Sequence, residues 1–113
     1  MKKSKIEIVV ELGEDKIPTN IQWRAQDANN PEWSEVQALF LSLFDKAESE
    51  SLKMDLWTKD FRVDEMDKFV FQTLRTMADS YYRATNNSKM ANHMAQFANF
   101  FGEETNIIKP ENS

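Results

Sequence analysis

The spacing of apolar residues changes once along this chain, close to residue 60. Before that point apolar and polar residues alternate over several short stretches, as they do in half-buried β-strands. After it, apolar residues recur at every third or fourth position, as they do on one face of an α-helix. The change is clearest between Leu52 and Met66. The pattern therefore predicts an α+β fold in which the strands precede the helices.

Four strands are predicted, at about residues 4–12, 19–27, 37–45 and 51–59. Residues 13–16 (GEDK) are typical of a turn, which makes the first two strands a hairpin. Pro31 suits the first position of a helix, so a short helical turn is expected over residues 31–36. The four strands are expected to form a four-stranded antiparallel β-meander.

Residues 37–45 are the ambiguous segment of this prediction. Their sequence, QALFLSLFD, is apolar at both the strand and the helix period. We favour a strand that is apolar on both faces. If residues 30–46 form a helix instead, the sheet has three strands.

Two helices are predicted, at about residues 64–85 and 88–102. Asp64 is expected to cap the first helix through the amide of Asp67, and Asn87 or Ser88 to cap the second. Gly102 fits the C-terminal cap of the second helix. Residues 103–113 are expected to be a flexible tail, and residues 1–113 a single domain with both helices packed on one sheet face.

The helical periodicity separates core positions from candidate contact positions. In the first helix the main apolar face is Met66, Val70, Thr73, Leu74, Met77 and Tyr81. Phe71 and Tyr82 lie off this face, where they either receive the second helix or form an exposed aromatic patch. In the second helix the expected buried face is Met90, Met94, Phe97, Ala98 and Phe101. Phe100 falls on its boundary, together with His93.

An apolar outer sheet face is the candidate partner surface. Trp57 points away from Leu52, Met54 and Leu56, and the 37–45 strand adds either its leucines or Phe40 and Phe44 to the Trp57 face. The alternative is that the N-terminal segment or the Trp33 segment covers this face. The candidate partner residues are Trp57, Leu39, Leu41, Leu43, Phe71, Tyr82 and Phe100.

Composition and motifs indicate no catalytic chemistry. The net charge of -5 and the lack of a basic stripe argue against nucleic-acid binding. His93 is the only histidine, and there is no cysteine. The carboxylates of residues 45–50 lack the ligand order of a calcium loop, and the two glycines form no phosphate-binding loop. We therefore expect a protein that is not an enzyme and holds no metal or cofactor.

The chain is expected to be cytoplasmic. The apolar stretch of residues 6–12 is short and interrupted by glutamates, unlike the core of a signal peptide. The longest unbroken apolar run covers only residues 38–41, far below the ~20 residues that span a bilayer.

Motifs spread along most of the chain resemble the gliding motility-associated GldC family of Bacteroidota. The motifs are IQW (21–23), AQD (25–27), DLWTK (55–59), VDEM (63–66), QTL (72–74), TMAD (76–79), RATN (83–86), KMA (89–91) and Phe97. The loop at residues 31–35 and the tail beyond Gly102 are least similar.

This resemblance implies a small accessory protein of the gliding machinery, with no catalytic residues to carry over. Its partners would be other gliding or secretion components, and it would reach the inner membrane only through them. The predicted fold is also analogous to that of the export chaperone SecB, which gives a holdase as the alternative function. A small ligand-binding module is the third. If the apolar strand is uncovered, a homo-oligomer is expected.

Overall fold

The computed structural model describes residues 2–26 and 30–109, and over these ranges it places five β-strands before two α-helices. The elements are β1 (Ile6–Leu12), β2 (Pro18–Ala25), β3 (Asn30–Val36), β4 (Ala38–Phe44), β5 (Ser51–Trp57), α1 (Val63–Thr85) and α2 (Ser88–Glu104). The predicted α+β class is confirmed. The chain divides into two compact units, Met1–Phe61 and Arg62–Ser113, which are described in turn.

The strands form two antiparallel sheets. One has the order β1-β2-β3, and the other pairs β4 with β5. The predicted four-stranded meander is therefore wrong, and the analogy with SecB loses the single sheet on which it was based. The reason is β3, which pairs with the edge of β2 that the predicted strand at residues 37–45 was expected to occupy. β4 pairs with β5 instead.

The predicted helical turn at residues 31–36 is also wrong, because this segment is β3. Within the part of the chain that the structure describes, β3 pairs with β2 on one side only and is therefore an edge strand. An edge strand tolerates Pro31, since a proline that faces away from the neighbouring strand leaves no ladder hydrogen bond unmade. The predicted end of the second strand at residue 27 lies outside the described residues.

β2 is the central strand of the three-stranded sheet. Ile21 in this strand is fully buried and pairs with Val10 on β1 and Val36 on β3. β1 and β2 are joined by the predicted turn, in which the amide of Lys16 donates to the carbonyl of Gly13 at 2.9 Å. The alternation read from the sequence thus gives the first hairpin and its core residue.

The segment around residues 37–45 forms strand β4, which confirms the favoured interpretation and rejects the helical one. β4 and β5 pair over their whole length, from Ala38 opposite Trp57 to Phe44 opposite Ser51. At the turn, the carboxylate of Asp45 accepts a hydrogen bond from the amide of Glu48 at 2.8 Å. This acidic loop is a hairpin turn.

Helix α1 begins one residue earlier than expected, and its N-cap is Arg62. The Glu65 carboxylate accepts a hydrogen bond from the Arg62 amide at 3.1 Å, so it closes the first turn. The expected cap at Asp64 is wrong, because Asp64 lies inside the helix and pairs with the Arg62 guanidinium at 3.0 Å. At the other end Asn86 has the left-handed conformation that stops a helix.

Helix α2 begins as predicted but ends later. The amide of Met90 donates to the Asn87 side chain at 3.1 Å, which confirms the predicted cap. Gly102 is not the C-cap, since the helix continues to Glu104 and Thr105 caps it. Gly102 is buried inside the helix, and the amides of Ile107 and Ile108 donate to its carbonyl at 2.8 and 3.0 Å.

The predicted flexible tail at residues 103–113 therefore begins too early. Residues 103–104 are helical, and the chain through Ile108 is hydrogen-bonded back to α2. The last residues of that prediction, 110–113, lie outside the described residues. Neither of the helices within the described ranges has the length and hydropathy to cross a membrane.

Candidate interaction surfaces

The β4–β5 hairpin has one face made only of apolar side chains. Directly paired residues of antiparallel strands project to the same side, and three such pairs here are apolar on both strands. We call this set the leucine face; its pairs are Leu39 with Leu56, Leu41 with Met54, and Leu43 with Leu52. Leu43, Leu52 and Met54 are 54%, 59% and 51% exposed, and the other three are half-buried. The face is thus largely open to solvent.

Trp57 lies on the opposite side of the same hairpin. It pairs with Ala38, and the same side carries Phe40 and Phe44. The predicted grouping of Trp57 with Leu39, Leu41 and Leu43 is therefore wrong, because the register places them on opposite faces. Of the two sets that could have joined Trp57, the register selects the phenylalanines. Trp57 is 47% exposed, so this second face is also accessible.

The three helical residues proposed for the surface have different environments. Phe71 is only 6% exposed, which removes it from any contact surface. A Cβ atom on Gly102 would lie 2.6 Å from its Cε1 atom, so the Phe71 ring packs directly onto the α2 backbone. Phe71 therefore belongs to the helix–helix contact. Tyr82 and Phe100 are exposed.

Phe97 lies beside the candidate surface residue Phe100 on α2. Phe97 was expected in the buried face of this helix, yet it is 53% exposed, and its ring centroid lies 6.2 Å from that of Phe100. Met90, from the same expected face, is exposed as well. The residues buried in α2 are Ala91, Ala98 and Gly102. These small residues are spaced seven and four positions apart, which places them on one side of the helix. In the sequence, this spacing indicates a close contact with another helix.

A charged ladder crosses the three-stranded sheet. Arg24 on β2 pairs with the Glu7 carboxylate on β1 at 2.9 Å, and its guanidinium carbon lies 4.5 Å from the centroid of the Trp33 ring on β3. The contact combines an ion pair with a cation–π interaction. It explains Trp33 as a structural residue that ties the edge strand β3 to its neighbour.

The helical unit carries an open groove of about 480 Å³. Its lining residues are Gln72, Arg75, Thr76, Ala78, Asp79, Ala95 and Asn99. Arg75 and Asp79 are its charged groups, and the only other feature is a row of amides, hydroxyls and alanines. No cluster of three or more potential metal-binding side chains occurs among the described residues. His93 is exposed on α2.

Among the described residues, the displaced pKa values belong to ion pairs at a turn and at a helix start. The Lys59 ammonium, hydrogen-bonded to the Asp15 carboxylate, lowers the pKa of Asp15. The Arg62 guanidinium, hydrogen-bonded to Asp64, lowers the pKa of that carboxyl, and Asp64 raises the pKa of Arg62 in return. All three groups lie at exposed positions, where such pairs stabilise local structure.

Comparison with known families gives one match. A family model described as "Gliding motility-associated protein GldC-like" matches residues 18–107. No curated protein and no solved structure matches the chain. The matched span starts at the first residue of β2 and extends beyond α2, so it contains both faces of the β4–β5 hairpin.

Proposed function

The chain belongs to the GldC-like family of gliding motility-associated proteins, and we propose that it acts in that process as a non-enzymatic interaction protein. The partner contact is assigned to the leucine face of the β4–β5 hairpin. The partners are other gliding or secretion components, which the protein meets in the cytoplasm.

The exposure of the leucine face is the observation that supports this proposal. A two-stranded hairpin is marginally stable by itself, and strands are normally covered on their apolar side. Burying one leucine side chain fully is worth roughly 1.5–3 kcal/mol. About half of this stabilisation is missing in the single chain, because about half of each of three side chains is exposed: Leu43, Leu52 and Met54. Contact with a partner would bury these side chains and supply the remaining stabilisation. Apolar patches of this kind mark protein-binding sites.

The positions of the groups with displaced pKa values support the non-enzymatic part of this proposal. Asp15, Arg62 and Asp64 owe their displaced pKa values to exposed ion pairs, and none of the three lines the groove of the helical unit. The pKa of a functional carboxyl or imidazole is usually shifted by burial in a cleft. The described residues offer contact area in place of such a site.

The test is complementation of a deletion strain of the source bacterium. The contact variant combines Leu43→Ser with Leu52→Ser, since the two side chains face each other on the leucine face. Both are more than half exposed, so the purified variant is expected to keep the wild-type circular dichroism. Colony spreading is expected to fall to the level of the deletion strain.

The matched control combines Lys46→Ser with Glu48→Ser, which changes two exposed residues in the turn of the same hairpin. This strain should spread like wild type. Normal spreading with the contact variant, at wild-type abundance of the chain, would contradict the role of the leucine face. Normal spreading of the deletion strain itself would contradict the motility role.

A holdase is the second candidate function, and the presence of Met54 on the leucine face favours it. Methionine is flexible and adapts to varied apolar partners, as chaperone surfaces require. The prediction is that the purified protein slows the aggregation of a model protein diluted from denaturant, and that the Leu43→Ser, Leu52→Ser variant does so less. If the wild-type chain has no effect at equimolar or higher concentration, the holdase is ruled out.

A further inference from the structure

We propose that strand β5 pairs antiparallel with β5 of a second copy of the chain, which makes the protein a two-fold symmetric dimer. The proposal does not depend on the motility role. It starts from the outer edge of β5. Within the described residues, β5 pairs with β4 alone, and all its residues except Leu56 are exposed. Its second edge thus has backbone donors and acceptors open for pairing.

The hydrogen-bonding phase of the hairpin shows which residues face that edge. The Asp45 amide donates to the Glu50 carbonyl at 2.7 Å, and the Thr58 amide donates to the Gln37 carbonyl at 2.9 Å. Bonded and non-bonded pairs alternate along antiparallel strands. The even-numbered positions 52, 54 and 56 therefore bond inward to β4. The backbone groups of Ser51, Lys53, Asp55 and Trp57 point outward.

Charge selects one register for pairing β5 with itself. When Met54 lies on the two-fold axis, Lys53 of one copy faces Asp55 of the other, and all seven residues of the strand are paired. With the axis at residue 53 or 55, like charges face each other. Opposite charges across a strand pair attract and like charges repel. The same register places Leu52 opposite Leu56 and Met54 opposite Met54, so the residues of the leucine face on β5 meet apolar residues of the second copy.

The other edges do not offer this complementarity. An antiparallel self-pairing of β1 centred on Val9 places Glu7 opposite Glu11 of the second copy, a repulsive arrangement. β3 contains Pro31, and β4 carries no charge. Among the described strands, β5 is the one that, when it pairs with itself over its full length, places opposite charges against each other.

The resulting dimer has a four-stranded sheet in the order β4-β5-β5-β4. The leucine faces of the two copies lie on the same side of this sheet and adjoin each other at the axis. Dimerisation therefore doubles the apolar area that the proposed function uses. Lys53 and Asp55 lie opposite Ser42 and Phe40 within their own hairpin, and neither has an ion pair within the described chain. Their charges are thus available to a second copy.

Charge swaps test the register by sedimentation equilibrium of the full chain. The wild type is expected to dimerise. K53D and D55K each place two like-charged pairs at the interface, and the dimer Kd should rise roughly tenfold to thirtyfold. The double variant K53D/D55K restores opposite charges and should dimerise like wild type. An equimolar mixture of the two single variants should form a heterodimer, because one chain then carries two acidic residues on this edge and the other two basic ones.

A cysteine crosslink tests the same register without changing charge. The chain has no cysteine, so Met54→Cys introduces a single thiol. Across the axis the two copies of this residue form a non-hydrogen-bonded pair, whose Cα atoms lie ~4.5 Å apart, within the range of a disulfide. Oxidation should give a covalent dimer. Leu56→Cys is the control, since the two copies of residue 56 are four positions out of register and should not crosslink.

Three results would overturn the proposal. One is a wild-type chain that sediments as a monomer at high concentration. Another is a dimer whose Kd is the same in K53D and D55K. The third is crosslinking of Leu56→Cys that equals or exceeds that of Met54→Cys. Sedimentation and crosslinking need no motility readout, and the spreading of the deletion strain tests the motility role without any change at β5, so a failed dimer and a failed motility role are separately observable.

Discussion

Gly102 is the position where one added methyl group has the clearest expected cost. It is buried within α2, and a Cβ atom there would lie 2.6 Å from Phe71 Cε1 and 2.8 Å from Ile108 Cδ1. Ordinary contacts of a Cβ atom lie at 3.4–4 Å, so both neighbours would have to move. The Phe71 ring is buried, with only 6% of its surface exposed. Gly102→Ala is therefore expected to destabilise the helical unit.

Two opposing effects set the magnitude. Overpacking a well-packed contact by one methyl group costs about 1–3 kcal/mol. Replacing glycine by alanine inside a helix is favourable by about 1 kcal/mol. The net loss in the free energy of unfolding is therefore about 1 kcal/mol, with the packing contact outweighing the gain in helix propensity.

Urea unfolding followed by circular dichroism measures this loss. For a slope of about 1–2 kcal/mol per molar urea, the transition midpoint of Gly102→Ala should fall by about 0.5–1 M. Asn92→Ala, at an exposed position of the same helix, is the control and should be neutral or slightly stabilising. Phe71→Leu removes the contacted ring atom, so its combination with Gly102→Ala should cost less than the two single losses added.

A more stable Gly102→Ala variant would refute this reasoning. Helix propensity alone raises the free energy of unfolding by about 1 kcal/mol. A gain of that size would mean that Phe71 and Ile108 do not clash with the added methyl group. Strict additivity in the double variant would lead to the same conclusion.

Two further predictions concern a helix cap and an ion pair. Asn87→Ala removes the acceptor of the Met90 amide and should lower the free energy of unfolding by about 1 kcal/mol, whereas Asn87→Ser, which keeps an acceptor, should restore most of it in the same urea assay. Lys59→Met removes the group that lowers the pKa of Asp15, so an NMR titration should show that pKa rising toward 3.8, unlike in the control Lys46→Met. The ion pair stabilises the fold only while the Asp15 carboxyl is ionised. The difference in unfolding free energy between wild type and Lys59→Met should therefore be present at pH 7 and vanish as the pH falls through the folded pKa of Asp15. A difference that persists in acid would contradict the ion pair as its cause.

The periodicity of the chain predicted most of its elements, because strand and helix patterns are local. The cap at Asn87 and the break at Asn86 are also local, since each depends on one side chain or one backbone angle. β3 was missed because Pro31 suits two positions, the first turn of a helix and an edge strand. Only the pairing of β2 decides between them.

The arrangement of the candidate surface residues on the hairpin could not be predicted from the sequence. Parity within β5 correctly separates Trp57 from Leu56, but it says nothing about which residues of β4 share a side with Trp57. That depends on the register across the turn at residues 45–50. Phe71 was placed ambiguously for a similar reason. Its burial depends on the absence of a side chain at Gly102, 31 positions away in the other helix.

The helical wheel failed at Phe97 because it equates apolar with buried. The close approach of α1 and α2 uses the smallest residues of α2, Ala91, Ala98 and Gly102, and leaves no room there for a large ring. Phe97 and Phe100 are displaced to the exposed side. Small residues at helical spacing would have been the better guide to this contact than large apolar ones.

Crosslinking from the leucine face in gliding cells tests the central claim most directly. A photoreactive amino acid at Leu43, which lies on β4 away from the β5 edge, should link the chain to a component of the motility or secretion machinery identified by mass spectrometry. The same group at Glu48, exposed in the adjoining turn, should give no such product. Equal products from both positions, or none from Leu43 in cells that glide, would contradict the claim that the leucine face is where this protein meets its partner.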